Sequence, residues 1–144
     1  MTIFNRLLLA IDLSPDSDLL LSRVWKICSE QMERVHVVHV LRNDAFFPGD
    51  SLDAPDADLR RLHDQAVIRL NTALISNGFS IPSQQVYIKS GEPATEIKRL
   101  AHDLEADLVI VGSHNKNGGW MSLPGATTNC VLQGIESDVM AVRV

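Results

Sequence analysis

Two residues stand where a folded chain could recognise a small phosphorylated or sugar-bearing molecule. Asp12 follows the apolar run Leu7-Leu8-Leu9-Ala10-Ile11, and Gly112 follows Leu108-Val109-Ile110-Val111. A carboxylate at a strand end can accept hydrogen bonds from a ribose hydroxyl or an adenine amine. The stretch Gly112-Ser113-His114-Asn115-Lys116-Asn117-Gly118-Gly119, with Gly125 beyond it, offers backbone N–H groups with little side-chain obstruction, which is what a phosphate chain needs. Ala10, Ser14, Val40, Val111, Asn115, Ala126 and Thr127 neighbour these positions and complete the candidate binding set with Asp12, Gly112 and Gly125. The competing reading is that Asp12 only caps the next turn and the glycines only make loops.

Other chemistries fail on spacing. A P-loop requires Lys-Ser or Lys-Thr directly after its last glycine, but Gly118-Gly119 runs into Trp120 and Gly125 into Ala126. No GxGxxG follows the first apolar run, where Asp12-Leu13-Ser14-Pro15 stands instead, and no GxSxG elbow occurs. A phosphorelay receiver needs an Asp closing its third strand and a Lys closing its fifth; here the third runs into Lys89-Ser90 and the fifth ends the chain. Ser113 and His114 are sequence neighbours, which does not build a nucleophile–base pair. His36 and His39 are three apart on a strand and so face opposite sides, which rules out a shared metal. His63 and His102 fall on helix surfaces, and Cys28 lies in an apolar helix stripe where a core role is expected, as for Cys130. No catalytic residue and no metal site is assigned, and the expectation is a binding protein rather than an enzyme, with slow ATP hydrolysis the weaker alternative, supported by no positioned base or acidic cluster beyond Asp12.

The elements that must position Asp12 and Gly112 alternate strand with helix. Ile3 to Ile11 reads as a strand, and Ser14-Pro15 opens a helix with Ser14 as cap and Pro15 in its first turn. That helix is striped by Leu21, Val24, Cys28 and Met32, with Trp25. Arg34 to Leu41 is the second strand, and Asn43 to Asp56, with Phe46 and Phe47, a surface excursion. A long helix to about Asn77 carries Leu59, Leu62, Ala66, Leu70, Ala73 and Leu74, and Gly78 stops it. Gln84 to Lys89 is a short strand with Val86 and Ile88 on one face and Tyr87 on the other. Pro93 starts a third helix striped by Ile97, Leu100, Ala101 and Leu104. Asp107 to Gly112 is a fourth strand, a short helix runs to about Gly134, and Asp138 to Val144 is the last strand. Such alternation predicts an α/β fold, a mainly parallel five-stranded sheet with helices on both faces. With strand order 3-2-1-4-5, strands one and four flank the point where the order reverses, and ligands bind beyond strand ends at that point.

Composition narrows the function classes. A chain of 144 residues is one domain's worth, and 45% hydrophobic with 22% charged residues is ordinary globular usage. A net charge of −5 argues against a nucleic-acid-backbone binder, which needs a dense basic footprint. Two distant cysteines make neither a disulfide framework nor a CxxC pair. The first apolar run is far shorter than the ~20 residues of a membrane span, and no basic region with a cleavage site precedes it. A cytoplasmic domain with no membrane partner is expected.

Taken in order, four stretches give the chain a family resemblance along essentially its whole length. These are Ala10-Ile11-Asp12-Leu13-Ser14-Pro15; Gly91-Glu92-Pro93-Ala94 with Glu96-Ile97; Ala106-Asp107-Leu108-Val109-Ile110-Val111-Gly112-Ser113-His114; and Asp138 to Val144. The chain resembles the universal stress protein family. That resemblance implies a five-stranded parallel α/β fold, a homodimer through the fifth strands and a regulatory role in stress survival. One branch of the family binds ATP through G-x2-G-x9-G-(S/T), and the other lacks the pattern and holds no nucleotide. Laid on this chain the pattern falls on Gly112, Asn115, Gly125 and Ala126, so two of its four positions match, and Thr127 lies one residue late. Asp-Leu-Ser-Pro looks like the branch without nucleotide, whereas Gly118-Gly119 and Gly125 look like the ATP branch. The resemblance therefore implies a stress-response dimer whose crevice takes ATP or a related adenine nucleotide, the alternative being a dimer that acts only through protein partners.

Overall fold

The computed structural model describes residues 4–42, 56–113 and 133–144. Five strands, β1 (Leu7–Ala10), β2 (Val35–Leu41), β3 (Val86–Ser90), β4 (Leu108–Ser113) and β5 (Asp138–Arg143), form one sheet. Its order is β3-β2-β1-β4-β5, and every neighbouring pair is parallel. The expected architecture is the observed one. Three helices, α1 (Ser17–Ser29), α2 (Asp56–Ser76) and α3 (Pro93–Leu104), cover both faces.

The continuous apolar runs form the central strands because both their faces are covered. Leu7, Leu9, Ile11, Val35, Val37, Leu108 and Ile110 pack with Leu20, Leu21, Val24 and Cys28 of α1 and with Leu70 and Leu74 of α2. The alternate residues Leu8, Ala10, Val38, Val40, Val109 and Val111 pack with Ala94, Ile97, Leu100 and Ala101 of α3. In β3 the alternation is as predicted: Val86 and Ile88 lean on the α1–α2 side and Tyr87 on the α3 side.

Several boundaries differ from expectation. Within the described residues β1 begins only at Leu7, because Asn5 and Arg6 give their N–H groups to the Asp107 carboxylate (2.7 and 2.8 Å) rather than to a ladder. Ser14 and Pro15 do not open α1, which begins at Ser17 after Asp16, with no side-chain cap. They form a turn instead, because Asp12 captures the Ser14 N–H and Ser14 Oγ accepts from the Asp16 N–H. Met32 lies beyond α1 in a short 3-10 turn, Met32–Arg34. Trp25 and Leu59 are exposed rather than in the core, Trp25 covering Gly78 at the end of α2. α3 starts at Pro93 as expected; Glu92 caps it by accepting from the Thr95 N–H at 2.8 Å and the Thr95 hydroxyl at 3.0 Å. The predicted short helix before Gly134, Cys130 and the Phe46–Phe47 excursion lie outside the described residues.

Candidate functional site

β1 and β4 are adjacent, and past them the strand order reverses. At their carboxyl ends Ala10, Asp12 and Gly112 share a small cleft with Asp16, Ser17 and Leu20 of the α1 approach and with Val144. Among the described residues the cleft is narrow, with essentially no room for a water molecule. Asp12 and Gly112, one hundred positions apart in the chain, are thus brought together. The cleft's described walls carry two carboxylates, Asp12 and Asp16, and no lysine or arginine.

The turn that carries Asp12 is built by short-range bonds. Asp12 Oδ1 accepts from the Ser14 N–H at 2.9 Å and from the Ser17 hydroxyl at 3.3 Å, an Asx turn running into the first turn of α1. Between them Leu13 is left-handed, with φ of +58°. That conformation costs a residue with a Cβ roughly 1–2 kcal/mol, so it persists only where the surroundings impose it. Two further bonds flank it: the Arg69 guanidinium of α2 donates to the Leu13 carbonyl at 3.0 Å, and His39 Nδ1 of β2 donates to the Ile11 carbonyl at 2.7 Å.

Gly112 is informative by elimination. Its φ is not left-handed, and an added Cβ would sit 3.4 Å from Leu20 and 3.6 Å from Val144, ordinary contact distances. Neither the backbone nor packing among the described residues demands a glycine there. The missing side chain leaves the main chain at the strand end uncovered on the cleft side.

Of the other sequence-selected positions, Val40 and Val111 are fully buried on the α3 side, so their side chains do not line the cleft and only their main chain is near a strand end. Ala10 lines the cleft while nearly fully buried, and Ser14 shapes the Asp12 turn. Asn115, Gly125, Ala126 and Thr127 lie outside the described residues. Asp16, Ser17, Leu20 and Val144 were not singled out from sequence, and neither were His39 and Arg69 as supports. Only the Asp12-x-Ser14 spacing, which favours an Asx turn, carried a readable signal for any of them.

The histidines separate as expected. His36 faces the α3 side, stacked on Tyr87 (centroids 5.8 Å apart) with Nδ1 3.1 Å from the phenol oxygen. His39 faces the α1–α2 side and is 7% exposed. Burial lowers the pKa of both; for His39 the Ile11 bond and the Asp12 charge oppose that shift, and the Arg69 charge adds to it. His63 and His102 are exposed. Burial pushes the Cys28 thiol up to about 12, which marks it as core rather than nucleophile. Among the described residues no cluster of His, Cys, Asp and Glu could hold a metal, and no helix is long and apolar enough to cross a membrane.

A larger cavity, about 850 Å³, opens at the opposite end of the sheet between the end of α3 and the approach to β5. Asp103, Glu105, Asp107, Glu136 and Asp138 surround it, with Lys98 and His102 the basic groups. Five carboxylates repel a phosphate, and the amino ends of parallel strands are not where this architecture places ligands. The smaller cleft is the better candidate.

The sequence matches the model of the universal stress protein family over residues 4–143. The chain belongs to that family. It is 29% identical over 143 residues to universal stress protein A homolog 2 of Coxiella burnetii, covering 98% of this chain and 96% of that protein. Among solved structures, hypothetical protein MJ0577 shares the fold with a TM-score of 0.72 at 22% identity, over 99% of this chain and 98% of the other. The universal stress protein of Archaeoglobus fulgidus, solved in complex with dAMP, has a TM-score of 0.60 at 16% identity, over 97% of this chain and 98% of its own.

Proposed function

We propose that this universal stress protein is a regulatory protein that binds an adenine nucleotide in the cleft between the ends of β1 and β4. The observation that carries the reading is the meeting of Asp12 with Gly112, a glycine that the fold itself does not require, at the point where strand order reverses. A family relative held in complex with dAMP lends the reading support.

At the strand end Asp12 can accept from a ribose hydroxyl or the adenine amine, so the described part of the cleft suits the adenosine moiety. The glycine-containing stretch that follows Gly112 in sequence, with Asn115, Gly125, Ala126 and Thr127, supplies the residue types a phosphate chain needs. Small-molecule sites usually offer roughly 300–1,000 Å³, and the narrow cleft lined by the described residues is only a part of such a surface.

The assembly proposed is a homodimer through β5. This strand is an edge of the sheet, with Val139, Met140 and Val142 only half-buried, and an apolar edge invites pairing with a second copy about a two-fold axis.

Titrating ATP and dAMP into the protein by calorimetry tests the nucleotide reading, with Asp12→Asn as the comparison. Asn keeps the size of Asp and loses its charge. The bond to Oδ1 becomes neutral and loses its charge assistance, a loss of about 1 kcal/mol that weakens affinity by about fivefold to tenfold. No heat from the folded wild type with either nucleotide overturns the reading.

A further inference from the structure

Three successive residues at the end of β1 are gripped by three different parts of the molecule. The Ile11 carbonyl accepts from His39 of β2 at 2.7 Å, Asp12 accepts from Ser14 and Ser17 ahead of and within α1, and the Leu13 carbonyl accepts from Arg69 of α2 at 3.0 Å. His39 is the buried member of this set, whereas Arg69 is exposed. We propose that His39 is a positioning residue for the ligand cleft, holding the Asp12 turn in its binding-ready form through the Ile11 carbonyl.

The chemistry fixes the direction of the bond. A carbonyl oxygen only accepts, so His39 Nδ1 carries the proton and donates. The Ile11 carbonyl and the Asp12 N–H belong to one rigid peptide plane, so anchoring the oxygen restricts the plane from which the Asp12 side chain departs. The next residue, Leu13, is left-handed at φ +58°, and without outside restraint the turn relaxes toward ordinary angles. Arg69 restrains the far side of that residue. His39 restrains the near side from a dry position, where a hydrogen bond does not compete with water. A leucine at position 39 would keep similar bulk beside Val37 and leave the Ile11 oxygen without this donor.

The proposal rests on the reading of Asp12 as a ligand contact, and the experiment separates the two. Wild type, His39→Leu and His39→Asn are compared by amide hydrogen exchange at Ser14, whose N–H is held by Asp12. Rates are referred to the core amides of β4 so that global destabilisation cancels. His39→Leu removes the donor at similar bulk, whereas Asn places an amide nitrogen near the position of Nδ1. Expected is a Ser14 exchange rate about tenfold faster in His39→Leu, from loss of one buried hydrogen bond, and restored to within about threefold of wild type in His39→Asn. Affinity for dAMP follows the same order. If His39→Leu does not fold, His39→Met, of similar bulk and without an N–H donor, takes its place with the same expectation. Unchanged Ser14 protection overturns the proposal, as does unchanged dAMP affinity where wild type binds. If wild type binds no dAMP, the nucleotide reading fails, while Ser14 exchange still decides whether His39 holds the turn.

Discussion

Gly112→Ala separates a ligand site from a structural glycine, because the two accounts predict opposite signs. The new Cβ would lie 3.4 Å from Leu20 Cδ2 and 3.6 Å from Val144 Cγ2, so it touches both without overlap. Gly112 has no left-handed φ for alanine to strain. Within a strand, alanine in place of glycine lowers the entropy of the unfolded chain, which stabilises by about 0.5–1 kcal/mol. For a domain of this size that raises Tm by about 2–4 °C. The same methyl group enters the cleft shared by Asp12, Ser17 and Val144, where forcing a group into occupied space costs typically about 1–3 kcal/mol. Nucleotide affinity should fall by about tenfold or more while the protein becomes slightly more stable. Thermal unfolding and calorimetric titration of the same preparation read both effects. A Tm lowered by several degrees, or an affinity equal to wild type, refutes the reasoning.

Other perturbations test the scaffold. Glu92→Ala removes the cap of α3, in which one carboxylate accepts from both the N–H and the hydroxyl of Thr95, and should cost about 0.5–2 kcal/mol by urea denaturation. His36 and His39 both have pKa values lowered by burial, so the fold favours their neutral forms while the unfolded chain takes up protons near pH 6.5; stability should fall as pH drops from 7.5 to 5.5, seen as a lower urea midpoint, and a midpoint that does not move contradicts this. At Asp107 burial acts to raise the pKa, but bonds from the Asn5 and Arg6 N–H groups outweigh it and hold the carboxyl below its usual range. Its contribution is therefore present above about pH 4 and lost as pH falls further, so Asp107→Asn should flatten the acid limb of the stability curve. Val142→Lys on β5 should shift a dimer toward monomer in light scattering; an unchanged dimer places the interface elsewhere.

The strands were legible because each central one is an apolar run that fills both faces, as Leu7 to Ala10 and Leu108 to Val111 do. Tyr87 between Val86 and Ile88 gave the edge strand away by alternation. Gly91-Glu92-Pro93 carried family resemblance in the sequence, and the structure supplies its physical reason. Gly91 has φ +145° and lies 2.9 Å from Glu96 by its would-be Cβ, Glu92 caps α3, and Pro93 fills its first position. Sequence offered Asp12 as a cap of the turn after β1, which it is, but not that this turn displaces the start of α1. Ser14-Pro15 has the composition of a helix start, yet the Asp12 carboxylate wins the Ser14 N–H and delays the helix to Ser17. A left-handed leucine is invisible to propensity, and the bonds from His39 and Arg69 that flank it are tertiary. Val40 and Val111 were placed at the site by their position at strand ends, which predicts proximity of the main chain but not the direction of a side chain.

The location of the ligand is tested most directly by adding ATP to isotope-labelled protein and following each backbone amide by NMR. The account predicts shifts concentrated at Asp12, Ser14, Ser17, Gly112 and Val144, with the amides of Asp103, Asp107 and Glu136 at the other end of the sheet unmoved. Shifts confined to that opposite end, or none anywhere at millimolar ATP, would contradict a nucleotide cleft between β1 and β4.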